Sequence, residues 1–164
     1  MAIPIGQVIW NTIQEEFFDA FDVAQFTRIS LRILLAAILG GILGYEREQM
    51  GKAAGLRTHM LVALGAAVFI IIPQQAGATV ADLTRVLQGL VAGIGFLGAG
   101  AIIKGNDQEE AKGVTTAAGL WLTTAIGVAA GMGRETSALL ITFLALIILS
   151  LLPKFTQLFE KPGR

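Results

Sequence analysis

Cysteine is absent from the 164 residues, which excludes disulfides, thiolate metal sites and thiol nucleophiles. Charge is scarce as well: 15% of the residues are charged, against about 25% in an ordinary soluble domain. Lys and Arg number 12 and balance 12 Asp and Glu, so the basic footprint of a nucleic-acid binder is missing. The first 27 residues contain no Lys or Arg but carry Glu15, Glu16, Asp19 and Asp22. That is unlike a cleavable signal peptide, so the first membrane helix is expected to act as an uncleaved anchor. Histidine occurs once, at His59, and without a second ligand it reads as a surface or hydrogen-bonded residue rather than a metal ligand.

What the chain has instead is apolar length. Uncharged runs cover Ile33 to Tyr45, Met60 to Ala81, Val86 to Ile103, Gly113 to Gly133 and Thr136 to Pro153, which are 13, 22, 18, 21 and 18 residues long. A helix needs about 17–25 residues to cross a bilayer. Four runs qualify as they stand, and the first does so by extending back through Arg32 toward Phe26. The expected fold is an all-α membrane protein of about five short, glycine-rich transmembrane helices. Its helices are expected to run to about Tyr45, from Thr58 to Pro73, from Val86 to Ile103, from Thr115 to Met132 and from Ser137 to Leu152, with 74–85 a polar connection.

Residues 1–27 read as a separate amphipathic segment, since Trp10, Ile13, Phe17 and Phe21 recur at helical spacing with the acidic residues off that stripe. Such a helix would lie in the membrane interface or pack on the bundle or a partner. Residues 28–153 form the expected transmembrane domain and 154–164 a short tail. With five helices, one side of the membrane collects eight Lys and Arg and the other four. The positive-inside rule then puts the N-terminus outside and the C-terminus in the cytoplasm.

Twenty glycines in such a chain call for a physical reason. Helices in lipid associate through close backbone packing at small residues, and Gly40, Gly44, Gly89, Gly93, Gly95, Gly98 and Gly100 are the candidate packing positions. The smooth run Gly93 to Gly100 marks its helix as the expected centre of the bundle. Gly93, Gly95 and Gly98 also spell G-x-G-x-x-G, but inside an apolar helix rather than between a strand and a helix, so nucleotide binding is rejected.

Polar candidates are few, and no charged residue lies near the middle of the last four helices. Thr115 and Thr116 are a candidate solute pathway, although membrane threonines more often bond their own backbone. Glu46 and Arg47 close the first helix while Arg57, Thr58 and His59 open the second. The short loop between them would bring these five groups together at the inner mouth, either to fix the helix pair or to form a binding site. Arg32 must snorkel outward or pair with an acid such as Asp82 or Asp22. Asp107, Glu109 and Glu110 read as a solvated loop, and no metal site or cofactor is expected.

Gly44-Tyr45-Glu46-Arg47-Glu48, Gly55-Leu56-Arg57-Thr58-His59, Gly93-Ile94-Gly95-Phe96-Leu97-Gly98-Ala99-Gly100 and Thr115-Thr116-Ala117-Ala118-Gly119-Leu120-Trp121 occur in this order. Together they resemble the MgtC/SapB family of bacterial inner-membrane proteins over roughly residues 26–153. The resemblance implies a role in growth at low magnesium, in some members survival inside hosts, and regulation rather than proven transport, with the rotary ATP synthase as one suggested partner. Many members continue into a soluble cytoplasmic domain. This chain ends at Arg164, so the transmembrane domain alone is expected and functions of that soluble domain are not carried over. Members tied to virulence have Asn and Cys where this chain has Thr115 and Leu122, which counts against a virulence role.

The function expected is a non-enzymatic membrane module that binds and modulates a partner, linked to Mg²⁺ homeostasis or envelope stress. A homodimer is expected because five short helices leave glycine faces over. The alternative is an oligomeric ion or small-solute transporter that uses the Gly93–Gly100 helix and the Thr115–Thr116 helix as its path.

Overall fold

The computed structural model describes residues 4–17, 22–103 and 110–153, with the side chains of residues 17 and 110–112 left aside. The described residues form helices without strands: α1 (Ile5–Phe17), α2 (Val23–Gln49), α3 (Leu56–Gln75), α4 (Val80–Ile103), α5 (Glu110–Gly131) and α6 (Glu135–Leu146). A π-helical turn, Ile147–Leu151, continues α6. Four helices, α2 to α5, are long and apolar enough to cross a membrane, and Glu135–Leu151 is a shorter apolar helix. Contacts divide the chain into residues 1–31 and residues 32–164. In the first unit, α1 carries its apolar side chains, including Ile9, Trp10 and Ile13, exposed; Phe21 lies outside the described residues.

In the second unit the helices are held by small residues at close crossings. A methyl group added at Gly40 would lie 2.7 Å from both the Ala63 Cβ and the His59 carbonyl oxygen, and one at Gly44 would lie 2.8 Å from the Leu56 Cα. Thus α2 runs antiparallel along α3 with backbone nearly touching backbone. On the other side of α3, Gly127 sits against the Ala63 carbonyl and Gly131 against that of Ala67, where an added methyl would be 2.7 Å from the oxygen. The pairs Ala63–Gly127 and Ala67–Gly131 advance together, so α3 and α5 run parallel. Helix–helix association in lipid depends on such contact because apolar side chains gain nothing by leaving the lipid.

The centre of the bundle is therefore α3 with α5, and the expectation for the Gly93–Gly100 helix is corrected. Only 6% of the apolar stretch of α4 is buried, against 56% for α5. Gly89, Gly93, Gly95 and Gly100 meet nothing within 4 Å, and Gly98 makes one ordinary contact with Ala117 at 3.5 Å. Glycine permits a close approach, but the alanines of α3 and the glycines of α2 and α5 had already made the approaches that close this bundle.

Two helix boundaries also differ. Pro73 lies inside the last turn of α3, where a missing N–H removes one bond without ending the helix. The chain leaves α3 at Gly77, whose φ of 78° is left-handed, with the Gly77 and Ala78 N–H groups bonded to Gln74 and Pro73. This is a Schellman ending. The expected connection 74–85 is correspondingly shorter, because α4 starts at Val80. Thr79 donates through Oγ1 to Asp82 Oδ2 at 2.7 Å while the Asp82 N–H returns a bond to Thr79 Oγ1 at 3.3 Å, a reciprocal helix start.

Candidate functional site

Near the α2–α3 loop the bundle buries its polar groups. Arg47 is 2% exposed and is ion-paired through Nε to Glu46, its neighbour on α2. Its Nη2 also donates to the Leu149 carbonyl oxygen at 3.2 Å. In an unbroken α-helix that carbonyl would accept from residue 153, but Pro153 has no N–H to give. A guanidinium from α2 thus serves an acceptor in the π-helical turn. Buried charge of this kind requires pairing and hydrogen bonds on both sides.

The next residue of the loop region, Glu48, accepts from the Leu56 N–H through Oε2 at 2.8 Å. It thereby supplies α3 with the acceptor its first turn lacks, and negative charge there also suits the helix dipole. Gly51 turns the chain with a φ of 63°, and the Gly51 and Lys52 N–H groups close α2 on Glu48 and Arg47.

His59 is fully buried one turn into α3. Its Nδ1 lies 3.0 Å from the Gly55 carbonyl oxygen, and its Nε2 is a buried nitrogen without a hydrogen-bond partner. The His59 carbonyl lies against Gly40 and its Cβ against Gly44. Arg57 and Thr58 are exposed. Of the five polar residues expected at one mouth, Glu46 and Arg47 are paired and His59 is enclosed, whereas Arg57 and Thr58 face outward.

Thr116 is buried on α5 and Thr115 is exposed. Deeper on α5, Thr123 and Thr124 donate to the carbonyls of Gly119 and Leu120 at 2.8 and 3.1 Å. Asp107 and Glu109 lie outside the described residues, as does the side chain of Glu110. Among the described residues no group of three or more His, Cys, Asp or Glu could hold a metal ion.

At the opposite end Arg32 takes neither of the acids expected for it. The half-buried side chain donates through Nη1 to the Gly131 carbonyl oxygen at 3.2 Å and to Gln74 Oε1 at 3.4 Å. It lies against Gly133, which has a φ of 71°. A cation at the last carbonyls of α5 complements that helix end, while Asp82 is engaged by Thr79 and by Arg85 at 3.1 Å. One helix, α2, therefore carries two arginines that each reach a backbone carbonyl of another helix. Backbone acceptors leave no mark in a sequence, so no residue type points to either partner.

Between α3 and α4 runs an apolar groove of about 620 Å³, lined among others by Gly65, Phe69, Val86, Gly89, Gly93 and Leu97.

The model of the MgtC family matches residues 33–158. SrpB of Synechococcus elongatus is 41% identical over 133 residues, which cover 74% of this chain and 73% of that protein. YhiD of Escherichia coli strain K12, a candidate magnesium transporter by name, is 38% identical over 77% of this chain and 61% of its own length. MgtC of Brucella abortus is 40% identical over 125 residues, or 76% of this chain and 51% of that protein. The chain thus spans less than two thirds of the length of the latter two relatives. No solved structure matches it.

Proposed function

The chain belongs to the MgtC family, and from that premise we propose that it is a non-enzymatic membrane module that modulates a partner through helix contact, in the service of Mg²⁺ homeostasis. The observation that carries this reading is the state of α4. It is 24 residues long and apolar, yet only Ile94 and Gly98 are buried, and four of its glycines meet nothing within 4 Å. A helix that faces lipid gains from bulky apolar side chains, whereas exposed glycine backbone invites another helix. The partner is a second copy of this chain or another membrane complex, of which the rotary ATP synthase is one. The Mg²⁺ link rests on the family and on the name of YhiD. We further propose an inner-membrane location with the α2–α3 loop in the cytoplasm, since Arg47, Lys52 and Arg57 cluster there.

The test is purification from native membranes after in-situ cross-linking, with and without Mg²⁺ limitation. A reproducible partner, lost when Gly93 is changed to Leu, is the expected result. A chain that runs alone under both conditions, with growth at low Mg²⁺ unchanged by its deletion, overturns the reading.

A second reading, solute transport, is favoured by buried Arg47 with its half-buried partner Glu46 and by His59, polar groups of a kind that are costly in a membrane and often mark ion paths. Flux into proteoliposomes above that of empty vesicles, reduced by Thr116→Val, would support it over the first.

A further inference from the structure

Among the described residues His59 Nε2 is the buried side-chain nitrogen left without a hydrogen bond, and the surroundings define what it lacks. The Gly55 carbonyl can only accept, so the Nδ1 at 3.0 Å from it carries the proton. In the uncharged ring Nε2 is then a bare lone pair, an acceptor in need of a donor. A buried polar group left in this state keeps the full penalty of its lost hydration.

The element opposite Nε2 is α5 at Gly119. A methyl group there would lie 3.6 Å from Nε2, an ordinary contact. This separates Gly119 from Gly40, Gly44, Gly127 and Gly131, where an added methyl would run into backbone. Packing of the ring therefore does not require glycine at this position. His59 Nε2 is the single heavy atom found within 4 Å of that methyl position, so the place beside the nitrogen admits a group of about that size. In the register that pairs Ala63 with Gly127 and Ala67 with Gly131, His59 falls opposite Thr123. The Thr123 hydroxyl spends its proton on the Gly119 carbonyl at 2.8 Å, so its oxygen too is left as an acceptor.

A buried acceptor without a donor at this crossing calls for a small neutral molecule with a proton to give. From these relationships we propose that the α3–α5 crossing at His59 and Gly119 is a binding site for a water molecule, which donates to His59 Nε2. Buried waters characteristically fill this role, bonding polar groups the protein leaves unpaired. A cation fits less well, because buried Arg47 lies within electrostatic reach of the ring and already holds the Glu46 carboxylate. The site is independent of α4 and of any partner bound there. It puts a hydrated point one helical turn inside a bundle otherwise closed by glycine and alanine.

His59 is the single histidine of the chain, so ¹⁵N-histidine labelling reports on this ring alone. Magic-angle-spinning NMR of the full chain in phospholipid vesicles should give Nδ1 protonated and Nε2 unprotonated, with magnetisation passing from water protons to Nε2. In Gly119→Ala that transfer should be lost while Nδ1 stays bonded, since the added methyl fits against the ring but occupies the water's space. Three results overturn the proposal: an Nε2 that carries its own proton, an unprotonated Nε2 with no transfer from water in the unaltered chain, or transfer that persists undiminished in Gly119→Ala. If the variant does not fold, the unaltered chain decides alone.

Discussion

Arg47 on α2 and Leu149 in the π-helical turn are joined by a hydrogen bond of 3.2 Å between a guanidinium and a backbone carbonyl. This contact and the Glu46 pair bring one buried cation into register with both its own helix and the end of the last one. Removing one member of a buried ion pair costs about 3–5 kcal/mol because the other charge is left stranded. Arg47→Met should therefore lower stability in mild detergent by that order, read from chemical or thermal unfolding. The double variant Glu46→Gln with Arg47→Met should lose less than Arg47→Met alone. Equal losses in the two would mean that the stranded carboxylate is not the source of the cost.

Gly127 and Gly93 make the sharpest contrast among the glycines. Gly127 lies against the Ala63 carbonyl, and Gly93 meets nothing within 4 Å. Gly127→Ala must push α5 from α3 and should cost about 1–3 kcal/mol, as overpacking does. Gly93→Ala should be neutral or stabilising by up to about 1 kcal/mol, through helix propensity. Comparable losses in the two variants would contradict the assignment of α3 and α5 as the central pair.

The same contrast marks how far the residues alone could be read. Uncharged runs of sufficient length located the spanning helices, because the bilayer imposes their length and polarity. The order of burial was not legible. A glycine states that a backbone can be approached, not that it is, and the alanines at 63 and 67 that receive the crossings look unremarkable in an apolar run. The start of α4 is legible in the residues, since Thr79-Val80-Ala81-Asp82 is a capping pattern, although the polarity of 74–85 suits a connection as well. The partners of Arg32 and Arg47 are carbonyls, 99 and 102 residues away in the chain, and no residue type announces a carbonyl.

Gly133 and Gly51 both take left-handed backbone, at φ of 71° and 63°. An L side chain in that region costs about 1–2 kcal/mol. Gly51→Ala should lose about that much, because nothing lies within 4 Å of the added methyl. Gly133→Ala should lose more, since the methyl would also displace the Arg32 guanidinium from the end of α5. Adding Arg32→Ala to each should separate the terms. It removes the excess at Gly133 and leaves the Gly51 penalty unchanged, as measured by unfolding midpoints.

The exposed faces of α4 and α6 differ in a way that a bilayer alone does not explain. On α6, Leu139, Leu140 and Phe143 are each more than half exposed, and their bulk covers the helix backbone as lipid contact favours. On α4 the exposed positions include Ala92, Gly93, Gly95, Ala99 and Gly100, which leave the backbone bare. The chain has no cysteine, so one introduced thiol is the only one present. Single cysteines at Ala92, Gly95 and Ala99 should cross-link to another polypeptide in native membranes, whereas cysteines at Leu139 and Phe143 should react only with lipid-soluble reagents. The α4 adducts should recur with a helical period rather than at every position, because one face of the helix meets the partner while the rest remains with lipid. Labelling of α4 by lipid-phase reagents at every position, with no cross-link at any, would mean that the bare helix faces lipid alone and that its glycines serve no partner.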